Sequence, residues 1–143
     1  MRSNAPKEAV KIELGRRYHF AASHRLHSPR LSEEENWRTY GKCNNPYGHG
    51  HNYMLEVTVS APVDDQTGMV CNLVDLDGFV HNEILERYDH QNLNLRAEFA
   101  KDVPTTENLC IAIYDIVKRG FLTAHLEKVR IEETMMNSFE YAG

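Results

Sequence analysis

Apolar residues occupy alternate positions near the start of the chain. Val10, Ile12, Leu14, Tyr18 and Phe20 share one parity, and only Arg16 breaks the row. A period of two predicts a first strand with one buried side. The alternation is cleaner from His51 to Ala61. Tyr53, Leu55, Val57, Val59 and Ala61 fall on one side and Met54, Glu56, Thr58 and Ser60 on the other, which predicts a second strand buried on one face. Residues 26–47 lie between the two and carry a proline, the acidic cluster Glu33, Glu34 and Glu35, and Gly41; they read as a loop with one helical turn. Residues 64–68 are turn chemistry.

The period then changes. Leu76, Phe79, Val80, Ile84 and Tyr88 recur at helical spacing behind Asn72, with Asp75 standing in for the usual glutamate of a capping box. A second helix opens near Thr105, just after Pro104. Its stripe is Leu109, Ala112, Ile113, Ile116 and Val117, and it closes near Gly120. Val129, Ile131, Glu133 and Met135 make one face of a third strand, and Phe139 with Tyr141 marks a short fourth. Two strands, two helices and two strands, in that order, predict an α+β fold: a four-stranded antiparallel sheet with two helices on one face. Its two open edges call for cover or for pairing with another chain, so a homo-oligomer is expected. No repeat or linker interrupts the pattern, and residues 1–143 read as a single domain with a flexible N-terminal segment at 1–9.

Charge and cysteine content narrow the partners. Lys and Arg number 16 against 21 Asp and Glu, a net charge of -5, which argues against nucleic acid as the main partner. A small phosphorylated ligand in a local basic pocket remains compatible with that balance. Cys43, Cys71 and Cys110 are odd in number and widely spaced, which favours a reducing cytoplasm over a disulfide-stapled secreted domain. No signal peptide precedes the first strand, and no run approaches the ~20 apolar residues of a membrane span.

Candidate chemistry centres on histidine. In an extended backbone residues i and i+2 point to one side, so His49 and His51 can meet one ion, with Gly50 offering no obstruction. His24 lies four residues past Phe20 at the same parity, and a hairpin of the first two strands brings it close. Three imidazole nitrogens with a vacant fourth position are the arrangement of catalytic zinc. His19, His27, His81 and His125 show no such geometry and read as structural or exposed. Cys43 has two readings. It is either a fourth ligand that closes the tetrahedron or a free thiol whose thiolate a nearby cation favours. Cys71 and Cys110, beside apolar stripes, read as core. Asp89 and His90 follow the first helix; the pair alone reads best as a histidine closing a helix end, with an oriented His–carboxylate pair as the other reading. Glu133 occupies the apolar parity of the third strand. Either a ligand with a row of N–H donors meets it, or a bulge turns it outward.

Taken together these segments resemble the 6-pyruvoyl tetrahydropterin synthase family. The matching stretches are Phe-Ala-Ala-Ser-His-Arg-Leu at 20–26, Cys-Asn-Asn-Pro-Tyr-Gly-His-Gly-His-Asn-Tyr at 43–53, Asp-His-Gln-Asn-Leu-Asn at 89–94, Pro-Thr-Thr-Glu-Asn at 104–108 and Glu-Thr at 133–134. The insert before Cys43 looks like the animal type rather than the shorter 6-carboxy-tetrahydropterin synthases, which share the three-histidine core. The resemblance implies a tunnelling fold, with sheets joined edge to edge into barrels and two trimers stacked as a hexamer. It further implies active sites between subunits, so that Asp89 and His90 can come from a neighbouring chain. The implied substrate is 7,8-dihydroneopterin triphosphate, which loses triphosphate and rearranges internally to 6-pyruvoyl tetrahydropterin without a redox cofactor. In that scheme zinc on His24, His49 and His51 polarises the side-chain hydroxyls and Cys43 is the base. Asp89 and His90 tune Cys43 and return protons, and Glu133 clamps the pterin with help from Thr106 and Glu107. Arg25 and Lys42 are candidate triphosphate contacts. Two other readings stay open: a carboxy-product enzyme of the same kind, and a non-catalytic zinc module with Cys43 as fourth ligand.

Overall fold

A computed structural model describes residues 10–143; the segment 1–9, expected to be flexible, lies outside the described residues. The first two strands are longer than their apolar rows. β1 (Lys11–His24) and β2 (His49–Pro62) pair antiparallel over their whole length, from Lys11 opposite Pro62 to His24 opposite His49. β1 continues past Phe20 because Ala22 and His24 keep its parity and are themselves buried.

Three further strands complete the sheet in the order β3-β1-β2-β4-β5. β4 (His125–Thr134) pairs antiparallel with β2, and β5 (Asn137–Tyr141) pairs antiparallel with β4. β3 (Gln91–Asn92) runs parallel to β1 at Ala22 and Ser23. The sheet is therefore five-stranded and mixed rather than four-stranded and antiparallel. Two residues are too few to leave a period in a sequence, which is why β3 is invisible there. The third strand also stops short of expectation: Met135 and Met136 sit in the turn after Thr134, fully exposed.

Both predicted helices form. Asn72 caps α2 (Leu73–Val80) by accepting from the Val74 N–H at 2.8 Å. α2 runs on through a π turn (His81–Leu85) into a last turn, α3 (Glu86–Tyr88). Thr105 caps α4 (Thr106–Gly120) through the Asn108 N–H. The core lies between helices and sheet. Tyr53, Leu55, Val57, Val59, Val129 and Ile131 meet Leu76, Val80, Ile84, Leu109, Ile113 and Val117 there, all of them at 0% exposure. Arg16, the break in the first apolar row, points to the same side and grips Asp77 of α2 at 3.0 and 2.8 Å, with the Tyr18 hydroxyl donating to that carboxylate at 2.7 Å. The interruption is a polar tie from β1 to α2.

The opposite face carries ion pairs, among them Arg17 with Glu56 at 2.9 Å and Arg130 with Glu132 at 2.7 Å. Met54, Thr58 and Ser60 on this face are nonetheless buried, against the expectation of one buried side. β2 is the central strand, and long side chains of its neighbours overlie it; Ser60 donates to Glu127 at 2.6 Å.

The loop after β1 contains more structure than one turn. α1 (Glu33–Tyr40) starts with a full capping box between Ser32 and Glu35, and a 3₁₀ turn (Gly41–Asn44) follows. Asn36 is fully buried and ties the loop together. Its carbonyl oxygen accepts from Ser28 N–H at 2.7 Å, and its amide donates to the Ser28 and Ser32 carbonyls at 2.9 and 3.0 Å. No helix among the described residues is long and apolar enough to cross a membrane.

Candidate metal centre and active site

The strand register dictates the centre. His24 faces His49 directly, and His51 lies opposite Ala22, one β-pleat further along. All three side chains share the core parity, and a ring nitrogen from each falls within 4.8 Å of the other two. Gly48 makes the approach possible. Its φ is +71°, and a Cβ there would stand 2.9 Å from the His24 carbonyl oxygen, so a side chain would push His49 away from His24.

The protonation pattern suits a cation. His24 is 2% exposed, and its Nδ1 donates to the Pro104 carbonyl at 2.7 Å, which leaves Nε2 as a bare lone pair 3.0 Å from His49 Nε2. Burial chiefly lowers the His24 pKa from the ordinary 6.5; the Pro104 contact opposes this, and His49 and His51 add to it. Burial likewise lowers His51, against a smaller opposing pull from Glu133. His51 Nε2 is buried and has no hydrogen-bond partner. Rings held neutral with a lone pair turned inward are what a divalent metal ion requires, and three imidazole ligands leave a coordination position open. Cys43 sits in the 3₁₀ turn, partly exposed, and its sulfur is not a member of the cluster.

Glu133 approaches the cluster from β4. The β4–β5 register does slip between Glu132 and Thr134, yet the carboxylate is turned inward, with its side chain 19% exposed. Thr106, the first residue of α4, donates its hydroxyl to Glu133 Oε2, while Oε1 lies 3.9 Å from His51 Nε2. Glu107 does not join them. It lines a separate groove with Cys110, Phe139 and Tyr141.

Asp89 and His90 sit on the outer edge of β1. Asp89 closes the helix through its N–H to the Leu85 carbonyl at 2.8 Å, and its Oδ1 accepts from the Ala21 N–H at 2.9 Å. The same oxygen lies 3.1 Å from His90 Nδ1. His90 itself has φ +60°, and its N–H donates to the Ala21 carbonyl at 2.6 Å rather than to the helix. The pair is thus an oriented His–carboxylate unit. Among the described residues no hydrogen bond joins it to Cys43. A cleft of about 550 Å³ does bring His90 and His51 together, with Ala21, Ser23, Gly50 and Asn52 along its wall.

Arg25 lines a groove with His24 and Gly48, whereas Lys42 is exposed on the 3₁₀ turn beside Cys43. The Arg25 side chain donates to the Asn44 carbonyl at 3.0 Å, and its backbone is clasped by Asn94 at 2.7 and 2.9 Å. Three contributors were not foreseen from the sequence: the Pro104 carbonyl, Asn94 and Tyr53. Only Tyr53 left a signal. It continues the two-residue spacing of His49 and His51 onto the same side.

Comparison with known proteins follows the same residues. The family profile described as 6-pyruvoyl tetrahydropterin synthase matches residues 13–143. The 6-pyruvoyl tetrahydrobiopterin synthase of Poecilia reticulata is 46% identical over 141 residues, covering 98% of this chain and 95% of that protein. The Homo sapiens enzyme of the same name is 45% identical over 134 residues, covering 93% and 92%. Among solved structures, the 6-pyruvoyl tetrahydropterin synthase of Caenorhabditis elegans superposes with a TM-score of 0.89 at 41% identity, covering 94% of this chain and 96% of that one.

Proposed function

The chain belongs to the 6-pyruvoyl tetrahydropterin synthase family, and we infer on that premise that it converts 7,8-dihydroneopterin triphosphate to 6-pyruvoyl tetrahydropterin. The observation that carries the mechanism is a cluster of three imidazoles, two of them held neutral by burial, to which the Cys43 thiol does not belong. A fourth ligand would have closed the site; its absence from the cluster favours an enzyme over an inert zinc module.

Zinc, when held by His24, His49 and His51, supplies Lewis-acid polarisation of the substrate's side-chain oxygens. Cys43 takes protons from the adjacent carbons. Asp89 holds His90 by Nδ1, which leaves Nε2 free to exchange protons with the thiol. Glu133, fixed at Oε2 by Thr106, receives the N–H edge of the pterin, and Glu107, in its separate groove, takes no part. The ring gains the two hydrogens that the side chain gives up, so no external oxidant enters. Triphosphate leaves along the side of Arg25 and Lys42.

The open edges of β1 and β5 suit barrel formation in a tunnelling fold, with two trimers stacked as a hexamer and residues 1–143 acting as one domain. His90, exposed on the β1 edge, then serves a site shared with a neighbouring chain. The free cysteines suit a cytoplasmic location.

Cys43→Ala tests the central point. Zinc measured by elemental analysis stays at the wild-type level while turnover falls at least ~100-fold, the usual contribution of a positioned base. Loss of zinc from that variant would make Cys43 a ligand and remove it as the base.

A further inference from the structure

Tyr53 is at the centre of the site and has no assigned task. It follows His51 by two residues on β2 and is 0% exposed. Its ring stacks on Phe20 with centroids 5.0 Å apart and stands edge-on to His51 at 5.5 Å. A phenylalanine would make every one of those contacts. The tyrosine adds only a hydroxyl, and that hydroxyl is buried without a hydrogen-bond partner. Such a group destabilises the ligand-free fold, because it has left water and gained nothing in return.

The surroundings of the hydroxyl point to its use. The Glu133 carboxylate acts on it through its charge, and the Thr106 hydroxyl comes within hydrogen-bonding reach of it without completing a bond. Thr106 gives its single hydroxyl hydrogen to Glu133 Oε2, so its own oxygen is left able to accept. The phenol is a donor in need of an acceptor. We propose that Tyr53 is a positioning residue for the pterin-binding carboxylate: its hydroxyl donates to Thr106 Oγ1 once bound pterin draws Glu133 into place. The resulting chain runs from Tyr53 through Thr106 to Glu133 Oε2. Each bond polarises the next, and Glu133 is held with its remaining lone pairs toward the ligand. The unpaired hydroxyl of the free protein is then a bond held in reserve for the complex. This role rests on Glu133 being the pterin anchor.

The test uses the zinc-loaded protein, with 7,8-dihydroneopterin as the probe in a fluorescence titration. Tyr53→Phe is expected to bind it about tenfold more weakly, with KM raised in step and kcat within about twofold of wild type. Its zinc content stays full, and the Tm of its ligand-free form is unchanged or higher. Thr106→Val weakens binding by itself, and adding Tyr53→Phe to it has no further effect, because the chain is already cut. Wild-type affinity in Tyr53→Phe overturns the proposal, as does an additive loss in the double variant. Zinc loss that parallels the affinity loss also overturns it, in favour of ring packing against the histidines. Glu133→Gln separates the two levels. If it loses affinity while Tyr53→Phe does not, only the role of Tyr53 falls; if it binds normally, the anchor reading falls and takes this role with it.

Discussion

Two histidines and a glycine set the conditions for the metal centre. His24 and His51 are held neutral by burial, so their folded pKa values lie below the 6.5 that applies in the unfolded chain. Between those values the unfolded state binds more protons, and stability rises with pH. The metal-free protein is therefore expected to keep this contribution above about pH 6.5 and to lose it as acid carries the pH through the lower folded values. Thermal melts from about pH 7.5 to about pH 5 check this, and the slope should shrink in a His51→Gln variant. Gly48 is the second condition. Gly48→Ala must hold an L residue at φ +71° with its Cβ 2.9 Å from the His24 carbonyl. The backbone term alone is roughly 1–2 kcal/mol, and relief comes only by moving His49 away. Zinc per chain, measured after purification, should fall well below one; full occupancy would show that the strand adapts.

Elements differ in how plainly the sequence announces them. The pairing of β1 with β2 was legible because both rows alternate, and the same parity was enough to group His24, His49 and His51. Glu133 was legible as an anomaly, a carboxylate at an apolar position, although the bulge beside it did not turn it outward. The loop holding Cys43 was nearly silent. α1 buries only Asn36, a polar residue, so no apolar stripe marks it, and the sequence there predicts no more than one helical turn. Hydrogen bonding replaces hydrophobic burial as the organiser of that segment. Asn36→Ala removes the bonds to Ser28 and Ser32 and strands buried backbone groups, a cost of about 2–4 kcal/mol. Denaturant unfolding measures the loss. Alkylation of Cys43 should speed up as well, because Cys43 closes the same loop through its carbonyl to Leu26 N–H at 2.9 Å.

At the scale of the whole molecule, the unfinished edges of the sheet matter most. β5 ends the sheet on one side, and on the other only two residues of β3 cover β1. A hexamer of the 16.5 kDa chain has a mass of about 99 kDa, and light scattering at micromolar concentration should return it. A monomeric mass would leave the edges without a purpose. The clasp of Asp89 and His90 on Ala21 has a consequence for any such joining. In an antiparallel pair, alternate residues present both N–H and C=O to the outside. At Ala21 both are already occupied. A strand arriving from another molecule can zip along β1 only as far as His19 and must halt there. The clasp is a doorstop for assembly: it fixes how far the newcomer slides and leaves its leading end beside the imidazole of His90.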